Sequence, residues 1–505
     1  MADEVEPETL ARFHALRKTG ERKFRSLCYA PFTQLSFTPD GNASVCCMSR
    51  PKPVGNVATS SLREIWNGAR ARAYRTALVK DVLPKGCESC EWHLKLGNLE
   101  SNPIRDYDGL VLAPDADGGP EVSWPTRLEF AMSNRCNLAC VQCSGEFSTI
   151  LRAREGRAPF PEVYGERFFT EIAEFLPHLR ATSFLGGEPF LQPECHRIWE
   201  MMIESGSTAE VFITTNGTVW NDKVERVLTK LNVEFALSID GVRRETVEKI
   251  RENARFDSLM ANVRRFHDHS AKKKHAEKVG ERTLFQLNFC LMRSNWQEAA
   301  DFFLWAEELE ARVWATPVMT PKHTSLFVLP SAALLAVIAR LEKDGERIRP
   351  KLRATNLAQW NSMVELVRQS IPEQARREAL ARQSPMREAL TLLRNGDRAA
   401  AFAAAARATR DDPFHFRSLL LRAQILFEAG EYFAIPSLLD AADEALPDHP
   451  EVHLARAWLA LATNRVDEAR RLADRCAARI HGHVASGLHV AEGLDRVRTL
   501  LAARG

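Results

Sequence analysis

No run of 18 apolar residues occurs anywhere in this 505-residue sequence, so no segment is long enough to cross a bilayer as a helix. The first ten residues, Met1 to Leu10, carry four acidic side chains and no apolar core, which is unlike a secretory leader. A strong charge of one sign is also missing. The 68 basic and 66 acidic residues nearly cancel to a net +2, leaving no global field that would draw nucleic acid or an anionic membrane. Any partner must be recognised at a local site. These absences lead to the expectation of a cytoplasmic protein with neither a membrane nor a nucleic-acid partner. Apolar residues make up 45% of the chain, enough for full cores, and the length suits about three domains at roughly 150 residues each.

Cysteine is present, but it is not scattered. Nine of the eleven fall before residue 196, most of them in two sets, Cys28 to Cys90 and Cys136 to Cys143. In a reducing compartment clustered thiols are more often metal ligands than disulfides.

Along the chain, residues 1–24 read as an extension and 25–100 as a small cysteine-rich domain of short strands, turns and one helix-like run, Leu62 to Leu78. Within it Phe32 to Phe37 alternates before a Pro39-Asp40-Gly41 turn. Residues 101–125 are rich in turn signals and read as a linker. From 126 to 330 strands alternate with amphipathic helices. The strands are expected at Arg127 to Met132, Ala181 to Leu185, Glu210 to Thr215, Val233 to Ile239, Phe285 to Leu291 and Val313 to Val318. Such repeats imply a parallel sheet, because parallel neighbours need a crossover, and six units make a partial barrel. The basic run Lys272 to Lys274 reads as a solvated loop before the fifth strand. Residues 331–385 read as a helical linker. In 386–505 Asn395-Gly396-Asp397, Ala429-Gly430-Glu431 and Thr463-Asn464-Arg465 recur every 34 residues, and Asp412-Pro413 and His449-Pro450 lie near unit ends. That period resembles the tetratricopeptide repeat, with a generic helical bundle as the alternative. The fold class is therefore α/β, with a cysteine-rich domain before the barrel and an all-α repeat domain after it.

Just beyond the first barrel strand, Cys136, Cys140 and Cys143 place three thiols within eight residues. Structural zinc and electron-transfer clusters usually take four protein ligands, so a three-cysteine loop leaves one metal open to a small molecule. A zinc site or a coincidence of buried thiols is the alternative from spacing alone. The loop sits at the carboxyl end of its strand, where barrel enzymes keep their chemistry. Three further motifs follow in order: Gly186-Gly187-Glu188-Pro189, Thr215-Asn216-Gly217 and Ser238-Ile239-Asp240-Gly241, after the second, third and fourth strands. Glycines 186 and 187 let the backbone approach a ligand closely, and Glu188 offers a carboxylate to a ligand ammonium. Alternation puts Glu234, Ala236, Ser238 and Asp240 on the face expected to line the barrel.

Over about Thr126 to Pro321 these motifs resemble the radical S-adenosylmethionine (radical SAM) superfamily, which places a C-x3-C-x2-C loop after the first strand of a partial (β/α)6 barrel. The resemblance implies a [4Fe-4S] cluster on Cys136, Cys140 and Cys143. It also implies that S-adenosylmethionine contacts Gly186 to Pro189, Asn216, Ser238 and Asp240, and that reductive cleavage yields a 5′-deoxyadenosyl radical. One departure stands out: the family usually has an aromatic or large apolar residue before the third cysteine, beside the adenine, and here it is Gln142.

The earlier set, Asp40-Gly41 leading to Cys46, Gly55-Asn56-Val57, Ser61 to Asn67 and Cys87-Glu88-Ser89-Cys90, resembles the twitch or SPASM auxiliary-cluster domains of the same superfamily. It implies a second [4Fe-4S] cluster on Cys28, Cys46, Cys87 and Cys90. Cys47 is the alternative to Cys46, and a zinc ribbon is the alternative to the cluster. Cys290 lies on the inward face of the fifth strand, as a hydrogen-atom donor to a substrate radical, a substrate contact or a plain buried thiol. Cys195 reads as structural. Arg293, Asn295 and His323 lie in loops that could touch substrate. The family implies an electron-donor protein. The repeats suit docking of a peptide or protein substrate, and a small molecule such as a sugar or nucleotide, or a non-catalytic scaffold, remains the alternative.

Overall fold

The computed structural model describes residues 5–503, apart from 18, 20–23, 96, 98, 100–101, 110–121, 278–284, 383–384, 413–414 and 481–486. Much of the linker expected at 101–125, and Pro413, lie outside the described residues.

The turn at Asp40-Gly41 forms as its residues dictate. β1 (Gln34–Phe37) and β2 (Asn42–Ser44) run antiparallel around it, and β3 (Gly55–Asn56) pairs with β2. Gly41 takes φ +81°, a region L side chains avoid, and the Asp40 carboxylate accepts from the Thr38 hydroxyl at 2.6 Å. The six expected strands then follow as β4 (Arg127–Phe130), β5 (Ala181–Phe184), β6 (Glu210–Thr215), β7 (Asn232–Ser238), β8 (Phe285–Leu291) and β9 (Arg312–Pro317), all parallel.

The cysteine-rich segment is not a separate body beside a six-stranded barrel. β1 pairs in parallel with β4, Ser36 opposite Glu129, so one sheet of nine strands runs β3-β2-β1-β4-β5-β6-β7-β8-β9. Side chains explain the join. On the outer face Phe37 stacks on Phe130 (5.7 Å) and Phe130 on Phe184 (5.0 Å), while Phe168 of the helix Glu166–Phe175 meets Phe37 edge-on at 5.4 Å. Phe37, Phe130 and Phe184 are fully buried, each contributing about 2–3 kcal/mol by area. The inner face is polar: Ser36 donates to Glu129 at 2.7 Å and Arg127 to Ser183 at 2.9 Å.

Three other expectations need correcting. The run Leu62 to Leu78 is two helices, Leu62–Trp66 and Ala69–Val79, broken at Asn67-Gly68. A Cβ at Gly68 would lie 2.6 Å from the Glu64 carbonyl oxygen, so the chain turns where only glycine fits. Lys272 and Lys273 lie inside the helix Phe256–Glu277, not in a loop, and Lys273 donates to the Leu231 carbonyl at 2.8 Å. Residues 331–370 are not a linker. They belong to the first of two compact units, 1–370, because Asn356 accepts from the β9 amide of Val313 at 2.8 Å and Trp360 packs on Phe303 at 5.2 Å.

The second unit, 371–505, holds three helix pairs: Pro385–Arg394 with Arg398–Asp411, Phe416–Ala429 with Ile435–Ala445, and Pro450–Ala462 with Val466–Ile480. Gly396 (φ +84°), Gly430 (φ +78°) and Asn464 (φ +61°) all adopt the left-handed conformation at the hairpin bends. The 34-residue period thus marks one bend geometry repeated three times. Among the described residues no helix is long and apolar enough to cross a membrane.

Candidate functional site

After β4 the chain enters an extended loop that carries Cys136, Cys140 and Cys143. Its backbone is pinned on one side by the end of the helix Arg244–Ile250 and the turn that follows it: Ala139 N donates to Glu252 O (3.0 Å) and Val141 N to Ile250 O (2.9 Å). Asn134 donates to Gly145 O at 2.9 Å and Ser148 to Leu138 O at 2.8 Å, closing the loop on itself. Burial pushes all three thiols up, Cys140 to about 12 and Cys143 to about 11, and Cys136 adds to the rise at both Cys140 and Cys143. Three such thiols become thiolates together only against bound positive charge.

The Gly186-Gly187-Glu188-Pro189 turn packs on this loop. Gly187 N donates to Ser133 O (3.0 Å) and Glu188 N to Arg135 O (2.8 Å). A Cβ at Gly187 would sit 2.2 Å from the Arg135 carbonyl oxygen, and at Gly186, φ +109°, 3.0 Å from Ser133 O. The close approach made possible by these glycines is therefore to the cysteine loop itself. Glu188 also differs from the sequence reading. Its carboxylate is 0% exposed and accepts from Thr215 Oγ1 (2.7 Å), Asn216 N (2.7 Å) and Phe190 N (3.2 Å), so it joins the ends of β5 and β6 and is not turned outward. Pro189 opens the short turn that follows. Asn216 in turn donates to Asn137 Oδ1 at 3.0 Å and reaches the Cys136 sulfur at 3.7 Å.

Burial raises Glu188 from 4.5 to about 7, against the three donors that favour its charge. The folded protein then holds a proton across that window that the unfolded chain has released, so stability falls as pH rises from about 4.5 to 7. Glu188→Gln removes this titration. Comparing urea midpoints at pH 4.5 and pH 8, the parent is expected to lose roughly 3 kcal/mol more than the variant. Equal losses would show that Glu188 is charged throughout.

Beyond β7, Asp240 (φ +68°) is the hub of the site. Its carboxylate, 0% exposed, accepts from Arg251 Nη2 (2.6 Å), Gln142 Nε2 (2.7 Å) and Cys290 N (2.7 Å). Asn295, a substrate candidate by sequence, is instead internal: it donates to the carbonyls of Asp240 and Cys290, both at 2.9 Å, and accepts from Met292 N at 2.7 Å. Ser238 accepts weakly from Asn288 at 3.5 Å. Cys290 packs among Ile250, Met292, Val318 and Val141, and burial with the Asp240 charge raises its pKa, keeping it a thiol. Sequence reasoning missed Arg251 and Glu298. Glu298 accepts from Val242 N (2.8 Å) and Arg243 N (3.1 Å) and holds the Asp240-Gly241 bend. Nothing in the local sequence marks either residue, since charged side chains near helix ends are common.

The residues fit the cofactors that the motifs imply. Gln142 Oε1 and Arg251 Nε, on two side chains that both bond to Asp240, are buried without a hydrogen-bond partner, as expected of groups whose partners belong to a bound molecule. In the other set, Cys28, Cys46, Cys87 and Cys90 interact electrostatically with one another, and burial raises Cys28 and Cys87 strongly and Cys90 to about 12. Cys46 is buried beside them, whereas Cys47 is exposed and feels the charges of Glu129 and Arg50. Among the described residues no group of His, Cys, Asp or Glu is gathered around one point in the manner of a single bound ion.

Residues 130–276 match the sequence model of the radical SAM superfamily, and residues 28–91 match SPASM, an iron-sulfur cluster-binding domain. A radical SAM domain implies a [4Fe-4S] cluster and S-adenosylmethionine, and a SPASM domain implies further iron–sulfur binding. The chain is 24% identical over 199 residues to the AdoMet-dependent heme synthase of Methanosarcina barkeri, covering 39% of this chain and 51% of that protein. It is 30% identical over 141 residues to the Fe-coproporphyrin III synthase of the same organism, covering 27% and 30%. The chain thus spans about half or less of the length of these relatives. Streptococcus suis SuiB bound to S-adenosylmethionine is 15% identical over 55% of this chain and 63% of that one, with a TM-score of 0.32.

Proposed function

We propose that this chain, with its radical SAM domain at 130–276 and its SPASM domain at 28–91, is an enzyme that reductively cleaves S-adenosylmethionine to start chemistry on a peptide or protein. The observation that carries the reading is the three-thiol loop, whose backbone is fastened to the turn after β5 and to the end of the helix Arg244–Ile250. Cys136, Cys140 and Cys143 hold one cluster, and the Gly186–Pro189 turn and Asn216 fix the loop around it. When bound, the cluster would supply the electron for reductive cleavage of the C5′–S bond of S-adenosylmethionine, with methionine as the leaving group and the 5′-deoxyadenosyl fragment taking hydrogen from the substrate. Cys28, Cys46, Cys87 and Cys90 hold a second cluster, which passes electrons from a donor protein. Ser36, Glu129, Arg127 and Ser183 give the substrate a polar inner face on the sheet. The helix pairs of 371–505 dock the substrate.

The test is anaerobic reconstitution with iron and sulfide, followed by dithionite and S-adenosylmethionine. Release of 5′-deoxyadenosine is expected. None from fully loaded protein, with candidate substrates present, would favour a metal-binding scaffold. A candidate peptide should bind the full chain and not residues 1–370, while both still cleave S-adenosylmethionine. Equal binding by both would remove the docking role of 371–505, and binding by neither would favour the small-molecule reading, which draws support from the tetrapyrrole names of the two Methanosarcina relatives.

A further inference from the structure

The two hydrogen bonds that pin the cysteine loop decide what faces Cys140. Ala139 and Val141 donate to the carbonyls of Glu252 and Ile250 in antiparallel fashion, so the residues between them, Cys140 and Arg251, stand opposite each other. The Arg251 guanidinium, 5% exposed, places Nη1 3.9 Å from the Cys140 sulfur and Nη2 2.6 Å from Asp240. Asp240 in turn is fixed by Gln142, by the Cys290 amide and by Asn295 on its own carbonyl. A permanent positive charge is thus held against one cluster ligand and is bonded in turn to the Asp240 carboxylate.

We infer that Arg251, oriented by Asp240, is a positioning residue that sets how readily the cluster on Cys136, Cys140 and Cys143 accepts its electron. This rests on the cluster assignment proposed above. Reduction adds one negative charge to the cluster, and a cation bonded to a ligand sulfur favours that state, because hydrogen bonds to sulfur and nearby charge raise cluster potentials. Asp240 offsets part of that effect. The two residues therefore act in opposite directions.

The experiment is an anaerobic redox titration without S-adenosylmethionine, following the paramagnetic signal of the reduced cluster that is lost on substitution of Cys140. Arg251→Met is expected to lower the reduced-to-oxidised ratio at the parent midpoint tenfold or more, about 59 mV for a one-electron couple. Asp240→Asn, which keeps an oxygen acceptor for the guanidinium, is expected to raise it, and Arg251→Lys to stay within about threefold of the parent by retaining the charge. Midpoints unmoved in cluster-loaded Arg251→Met and Asp240→Asn would overturn the role of Arg251. If Arg251→Met holds no cluster, the direction of the Asp240→Asn shift decides. A parent with no signal dependent on Cys140 would instead overturn the cluster assignment itself.

Discussion

Alanine at any one of Cys136, Cys140 or Cys143 is expected to remove one cluster's iron and to lower 5′-deoxyadenosine formation by about 100-fold or more. Loss of residues that merely orient a metal ligand costs 10–100-fold, and these cysteines are the ligands themselves. Iron analysis and product assay on anaerobically reconstituted protein check the result. Cys195→Ala is the control: its thiol is fully buried and donates to Gln192 at 3.4 Å, so its loss should cost stability and leave iron unchanged. The same assay separates the neighbours in the other set. Buried Cys46 should be required for the second cluster and exposed Cys47 should not. Full iron content in the Cys136, Cys140 and Cys143 variants would end the assignment.

Gly187→Ala is expected to be the most damaging single-methyl change in the barrel. The added carbon would meet three backbone atoms, Arg135 O at 2.2 Å, Arg135 C at 2.7 Å and Asn134 C at 2.8 Å. Side chains can swing away from an intruder, but here the loop itself must move, and with it the carbonyls that accept from Gly187 N and Glu188 N. Overpacking costs about 1–3 kcal/mol even where side chains can adjust, so a loss of about 3 kcal/mol or more is expected, as a lowered urea midpoint. Cluster loading should fall with it, because Cys136 follows Arg135 directly. A variant with parental stability and iron content would show that the turn and the loop are not packed together.

Both effects trace to features that the sequence displays unevenly. The strands were legible because Phe285 to Leu291 and the other runs alternate or stay apolar between turn signals, and the cysteine spacing was legible because thiols are rare. The pairing of β1 with β4 was not. It joins residues 93 apart, Ser36 and Glu129, through faces that each look merely half-buried in isolation. The packing of Gly187 and the bonding of Glu188 were hidden for a related reason. A glycine that admits a ligand and one that admits a neighbouring loop look alike in one dimension, and so do a carboxylate turned outward and one that closes Thr215 and Asn216. Arg251 was invisible because its meaning comes only from standing opposite Cys140. The break at Gly68 and the extension of the Phe256–Glu277 helix through Lys273 are ordinary boundary errors, where local propensity is weak.

The seam between β1 and β4 also limits how this molecule can be divided. Cutting the chain ahead of Thr126 would leave Arg127 to Phe130 with a raw flank, its amides and carbonyls facing outward and an aromatic ridge uncovered. The two thiol-bearing regions are one piece of woven backbone, and neither can be borrowed, swapped or discarded without fraying the other.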